Sequence, residues 1–265
     1  MLLHAVATDS GISAAAKVVL LLAVLGMLAV GLWLGLQQAR RFLFETNPRY
    51  TLRTIQYRTD GVLPADTIRQ VTGVHEGCNL FCINLPSIRR NFLQNLPNVR
   101  NIQLRRMLPD TLDIVVSERI PVARRSREKR EVVDFDGYVF TLQPAQESQL
   151  DRLPILVSEE WASLSSGQRV SEKPRAALDV LNTSDAIRLS FKIITIDTTG
   201  SHYLLLQTSD RREIGLPWDQ ISRREVVNEM LRRCDDALQS PRAAGRNRFD
   251  VLVGPKEIKI ISRYE

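Results

Sequence analysis

The chain has 265 residues, of which 44% are hydrophobic and 25% charged, and its net charge is +6. That composition suits an anchor plus folded domains of ordinary size, and it excludes a long disordered or collagen-like chain. The arginines are scattered, with neither an aromatic-interleaved basic stripe nor a nucleic-acid reading motif, so nucleic acid is not an expected partner. An anionic membrane surface is the expected attractor for a tethered basic domain.

Positions 18–36 hold no charged residue. At ~1.5 Å per residue the run reaches about 28 Å, close to the thickness of a bilayer's hydrocarbon core. A soluble core helix would keep a polar face, whereas this run is apolar all round until Gln37 and Gln38. A cleaved secretory signal has a shorter apolar region and a small-x-small site, and here the run passes directly into Gln37-Gln38-Ala39-Arg40-Arg41, so an uncleaved anchor is expected. Local charge does not decide its orientation. Lys17 precedes the run and Arg40, Arg41 and Arg49 follow it, but large domains translocate largely regardless of such charges.

Beyond the anchor, positions 50–57 predict a strand and 64–71 a short helix with proline at its start. Pro86 and Ser87 open a second helix, in which Ile88, Phe92 and Leu96 share one face until Pro97 ends it. Positions 99–106 and 111–117 alternate apolar and polar on either side of Leu108-Pro109-Asp110, which predicts a hairpin. The order strand, helix, helix, strand, strand implies a compact module with both helices on a three-stranded sheet.

The texture then changes to strands, at 132–134, 138–142, 191–197, 203–208, 249–253 and 257–261. A helix is expected near 174–181. A long one is expected at 219–238, where Val227, Met230, Leu231, Cys234 and Leu238 repeat at helical spacing. The fold class is therefore α+β: a single N-terminal transmembrane helix, a small mixed module, and a mostly antiparallel β domain with a long helix. Cys78, Cys82 and Cys234 are too few for a disulfide scaffold or a closed zinc site. If their segment is extended, Cys78 and Cys82 stand roughly 13 Å apart, beyond disulfide reach. All three are expected to pack as small apolar residues.

Several segments carry a resemblance in their order and spacing. Gly77-Cys78-Asn79-Leu80-Phe81, Ile88-Arg89 and Leu96-Pro97-Asn98-Val99 come first. Arg105-Arg106-Met107-Leu108-Pro109-Asp110-Thr111-Leu112 and Ser117-Glu118-Arg119-Ile120-Pro121-Val122-Ala123 follow, and then Val133-Asp134 with Gly137, Val139 and Phe140. Together they resemble the FtsQ/DivIB family of bacterial cell-division proteins, although the family's glycine soon after the first strand is absent where Ile55 is followed by Tyr57 and Thr59.

The resemblance implies a cytoplasmic tail at 1–17, a transmembrane helix at 18–36, a juxtamembrane linker at 37–49, a POTRA domain at 50–120 and a β domain at 121–265. Both domains would lie outside the cell inner (plasma) membrane, at the division septum. It further implies a scaffold that binds bitopic division proteins such as FtsB and FtsL and coordinates septal peptidoglycan synthesis. No catalysis, cofactor, metal or small-molecule substrate of its own is implied. The family takes FtsB by adding a partner strand to its last strands. The matching positions are Val253, Gly254, Ile258, Lys259, Ile260, Ile261 and Ser262, with Arg232 on the flanking helix for acidic partner residues. Alternation turns Ile258 and Ile260 to the core and Glu257, Lys259 and Ile261 outward, on a final strand at the sheet edge. Deleting 257–265, or placing proline at Lys259, is then expected to abolish binding.

The rival is an enzyme. Val132 to Gly137 resembles the D-x-D-G element of haloacid dehalogenase-like phosphatases, with Asp134 as nucleophile and Asp136 as acid/base beside Mg²⁺. Such an enzyme needs continuing strand-helix alternation, and this chain goes on mostly with strands; Asp235-Asp236 falls inside the long helix. The serines and three histidines form no nucleophile-base-orienter set, and no glycine loop would cradle a phosphate. An outer-membrane assembly factor also uses POTRA modules, but the content beyond Ala123 does not suit lipid-facing barrel strands.

Overall fold

The structure, a computed structural model, describes residues 14–221, 223–254 and 257–263. Most of the expected 1–17 tail therefore lies outside the described residues. The chain divides into two compact units. One holds the described residues up to Gln56 with Val74–Asn84 and Arg105–Asp113; the other holds Tyr57–Gly73, Leu85–Leu104 and the described residues from Ile114 onward.

The first unit begins with α1 (Ala14–Arg40), which continues into a single π-helical turn, Arg41–Glu45. The stretch Val19–Glu45 is long and apolar enough to cross a membrane, and its most apolar 18-residue window has a mean hydropathy of 2.6 with none of that window buried against protein. Thr46 closes the helix end by donating its hydroxyl to the Arg41 and Phe42 carbonyls, each at 3.3 Å. A 3₁₀ turn at Pro48–Tyr50 occupies the place where the first strand was expected to start. Its Asn47 cap accepts from the Arg49 N–H. The strand itself, β1, is Thr54–Thr59. Leu52, Val74, Leu80 and Leu112 are buried in this unit.

In the second unit, α2 (Ala65–Thr72) ends on Gly73, whose φ of 64° supplies the left-handed cap that a side chain would disfavour. Helix α3 (Leu85–Asn95) buries Phe92. Strands β2 (Val99–Met107) and β3 (Thr111–Glu118) complete a sheet ordered β1-β3-β2. Leu63, Ile68, Val99, Ile102, Ile114 and Val116 are buried. Each such side chain contributes about 1.5–3 kcal/mol relative to exposure. The buried Glu118 carboxylate is satisfied by the Leu63 N–H at 2.6 Å and the Thr59 hydroxyl at 3.1 Å. Gly61 is required beside it, because a Cβ there would meet Glu118 Cδ at 2.2 Å.

The β domain adds β4 (Ala123–Arg124), β5 (Glu131–Val133), β6 (Val139–Thr141), β7 (Ile155–Val157), α4 (Glu172–Ala186), β8 (Ile193–Asp197), β9 (Tyr203–Thr208), β10 (Glu213–Pro217), α5 (Arg224–Gln239), β11 (Arg248–Val253) and β12 (Ile258–Arg263). They form one sheet ordered β12-β11-β10-β9-β8-β7-β4-β5-β6. Neighbours are antiparallel except β10/β11, β4/β7 and β7/β8. Helices α4 and α5 cover it, and the expected stripe of Val227, Met230, Leu231, Cys234 and Leu238 is buried with Ile196, Leu206, Ile214, Phe249 and Val251. Burial pushes the Cys234 thiol up to about 12, with the neighbouring Asp235 charge adding, so it packs as an unreactive thiol.

Three expectations are corrected. Cys78 is half-exposed and Cys82 exposed, because their segment is a surface loop rather than an extended core strand. The long helix starts at Arg224, not at 219, because Trp218–Gln220 forms its own 3₁₀ turn and Ile221 leaves helical geometry with φ −85° and ψ 52°. The shorter helix runs well beyond 181, to Ala186.

Candidate partner-binding edge

β12 ends the strand order, so one of its sides faces no other strand among the described residues. Which backbone groups point there follows from the hairpin that makes it. The Gly254 N–H donates to the Glu257 carbonyl at 2.8 Å, which makes these two residues a hydrogen-bonded pair. In an antiparallel ladder such pairs alternate with pairs whose N–H and C=O groups point away from each other. The register runs unbroken from Val253↔Ile258 to Arg248↔Arg263. Lys259, Ile261 and Arg263 therefore spend their backbone groups on β11, and Ile258, Ile260 and Ser262 turn theirs to the open side.

Two arginines corroborate this parity. Arg233 of α5 donates from Nη1 to the Ile258 carbonyl at 2.9 Å, and Arg246 donates to the Ser262 carbonyl at 3.4 Å and to its hydroxyl. The side chains alternate as the sequence predicted. Ile258 and Ile260 pack partly buried on the core together with Val253, while Lys259, Ile261 and Arg263 are exposed, Ile261 at 43%. Arg263 is held over the buried Asp250 at 3.5 Å, and Lys259 pairs with Glu257 at 2.7 Å.

The structure thus brings together Val253, Gly254, Ile258, Lys259, Ile260, Ile261 and Ser262. Arg232 stands apart from them: its Nε donates to Asn228 at 2.9 Å and it lines a hollow with Ile187, Arg188 and Leu189 after α4. Arg233, one residue on, is the α5 arginine that reaches β12, and sequence reasoning missed it together with Arg246.

The aspartates of the phosphatase reading are already engaged. Asp134 is buried, accepts the Tyr138 N–H at 2.8 Å and pairs with Arg119 at 2.5 Å. Arg119 also donates to the Pro97 carbonyl at 3.0 Å and lies 4.1 Å from the Tyr138 ring centroid. Asp136 pairs with Arg100 at 3.2 Å. This turn ties the end of β3 to the β5–β6 hairpin. Among the described residues no group of three or more His, Cys, Asp or Glu side chains converges on a metal position.

An apolar helix able to span a bilayer, two helices on a three-stranded sheet and a β domain closing on an edge strand describe a membrane-anchored POTRA protein. Residues 51–119 match the family described as "POTRA domain, FtsQ-type". The chain is 25% identical over 194 residues to the cell division protein DivIB of Clostridium acetobutylicum, covering 69% of this chain and 75% of that protein. It is 26% identical over 150 residues to the cell division protein FtsQ of Corynebacterium glutamicum, covering 56% of this chain and 63% of the relative. With the FtsQ of Geotalea daltonii the identity is 32% over 113 residues, 42% of this chain and 40% of that protein. The aligned stretch thus spans less than two thirds of either FtsQ relative. Residues 51–119 are thus an FtsQ-type POTRA domain, and over longer stretches the chain is similar to the DivIB and FtsQ cell-division proteins.

Proposed function

We propose that this chain is a bitopic scaffold of the division machinery, with its N-terminus in the cytoplasm and its POTRA and β domains outside the inner membrane at the septum. It holds FtsB/FtsL-like division proteins by accepting a partner strand on β12, and through them coordinates septal peptidoglycan synthesis without catalysis of its own. The observation that carries this reading is the row of outward backbone groups at Ile258, Ile260 and Ser262, on the last strand of the sheet. In strand addition such groups give affinity, and the alternating side chains give register. Ile261 and the neighbouring exposed Leu252 offer apolar contact on one face.

Two measurements test it. Alkaline phosphatase fused after Glu265 is expected to be active, as only an extracytoplasmic fusion can be; activity confined to a cytoplasmic reporter would refute the orientation. Capture of neighbours by the full-length protein is expected to return FtsB/FtsL-like bitopic proteins. Purified protein is also expected to lack magnesium-dependent phosphatase activity, and activity abolished by Asp134→Asn would replace this reading with the enzymatic one.

A further inference from the structure

The first unit gathers apolar side chains where α1 ends. Phe42 is 76% exposed, and Leu43 and Phe44 are exposed beside it in the π turn. The Phe44 ring packs on Tyr50 at 6.0 Å and on Phe81 at 5.1 Å between centroids, and Tyr50 meets Phe81 edge-on at 5.0 Å. The loop carrying Phe81 is fastened to the helix end: Asn79 Nδ2 donates to the Phe44 carbonyl at 2.9 Å, and the Leu80 N–H to the Tyr50 carbonyl at 2.9 Å. Arg106 binds that loop from the β2–β3 hairpin, donating to the Leu80 and Ile83 carbonyls at 2.7 Å each. The tip of the same hairpin exposes Met107 and, at 60%, Leu108.

Arg40, Arg41, Arg49, Arg53, Arg105 and Arg106 are exposed in this unit. They outnumber the carboxylates among its described residues, Glu45, Glu76, Asp110 and Asp113, of which Asp113 is buried. Apolar tips at the end of a spanning helix, in a unit whose exposed arginines outnumber its described carboxylates, match the chemistry of a bilayer's headgroup layer. Aromatic rings settle there, and guanidinium forks bind phosphate oxygens in pairs.

We infer that this face is a lipid-binding foot. Phe42, Phe44, Met107 and Leu108 enter the headgroup layer of the bilayer that α1 spans, and Arg40, Arg41, Arg49 and Arg53 bind the phosphates of anionic phospholipids. The inference rests on α1 crossing a membrane and is independent of what β12 holds.

The test uses the full chain in nanodiscs. An environment-sensitive NBD dye is attached at Leu108→Cys in a Cys78→Ser, Cys82→Ser background, in which the remaining Cys234 is buried. In phosphatidylglycerol discs carrying a headgroup nitroxide, the dye is expected to shift to the blue and be quenched severalfold more than in phosphatidylcholine discs. Arg49→Glu with Arg53→Glu is expected to remove that difference while the thermal midpoint stays that of the parent. A water-like spectrum without quenching in phosphatidylglycerol overturns the inference. So does quenching that is equal in the two lipids.

Discussion

Replacing Ile260 by proline is expected to weaken capture of the FtsB-like segment at least tenfold while leaving the protein folded. The Ile260 N–H points to the open side, so its loss removes a bond to the incoming strand and puts a pyrrolidine ring in that strand's path. A hydrogen bond lost at an interface costs about 1–3 kcal/mol, and each 1.4 kcal/mol is tenfold in affinity. Lys259→Pro, the substitution that side-chain alternation alone suggests, is expected to act differently. The Lys259 N–H serves the β11 ladder opposite Leu252, so proline there loosens β12 itself and lowers the melting temperature. Titrating both full-length variants with the partner's soluble segment, beside their far-UV spectra, separates the two effects. Undiminished binding by a folded Ile260→Pro protein would falsify strand addition at this edge.

The second large effect is expected at the Asp134 turn. Arg119→Met leaves Asp134 buried without its counter-charge, a change that costs about 3–5 kcal/mol when one partner of a buried pair is removed. At 2–4 °C per kcal/mol for a domain of this size, the midpoint should fall by roughly 6–20 °C. Adding Asp134→Leu is expected to recover part of the loss, because the stranded charge goes with it. A midpoint within a degree or two of the parent for Arg119→Met would show that the pair does not hold the turn. A purely catalytic Asp134 would predict that outcome.

Much of this fold was legible because burial writes itself into periodicity. The α5 stripe and the Ile258/Ile260 alternation each put apolar residues at the spacing that one buried face requires. Strands β4 and β7 are too short to show alternation, and β10 contains Gly215 and Pro217, which read as turn residues. The candidate edge was legible in its residues and not in its parity. Side-chain alternation says which way Ile260 packs, but it is the Gly254–Glu257 closing pair that says where its N–H points. The choice between Arg232 and Arg233 turns on about 100° of helix rotation, which the approximate helix boundary left open. The partnership of Asp134 with Arg119 joins residues fifteen apart in the chain, whereas the sequence displays only the local Asp-x-Asp-Gly pattern.

The open side of β12 also bears on what the protein avoids. A bare strand is a template for any other bare strand, and copies confined to one membrane meet each other far more often than they would in solution. The exposed side chains of this strand include the cationic heads of Lys259 and Arg263. Two copies aligning edge to edge would bring like charges together, which works against runaway sheet growth, whereas a segment of opposite charge meets no such repulsion.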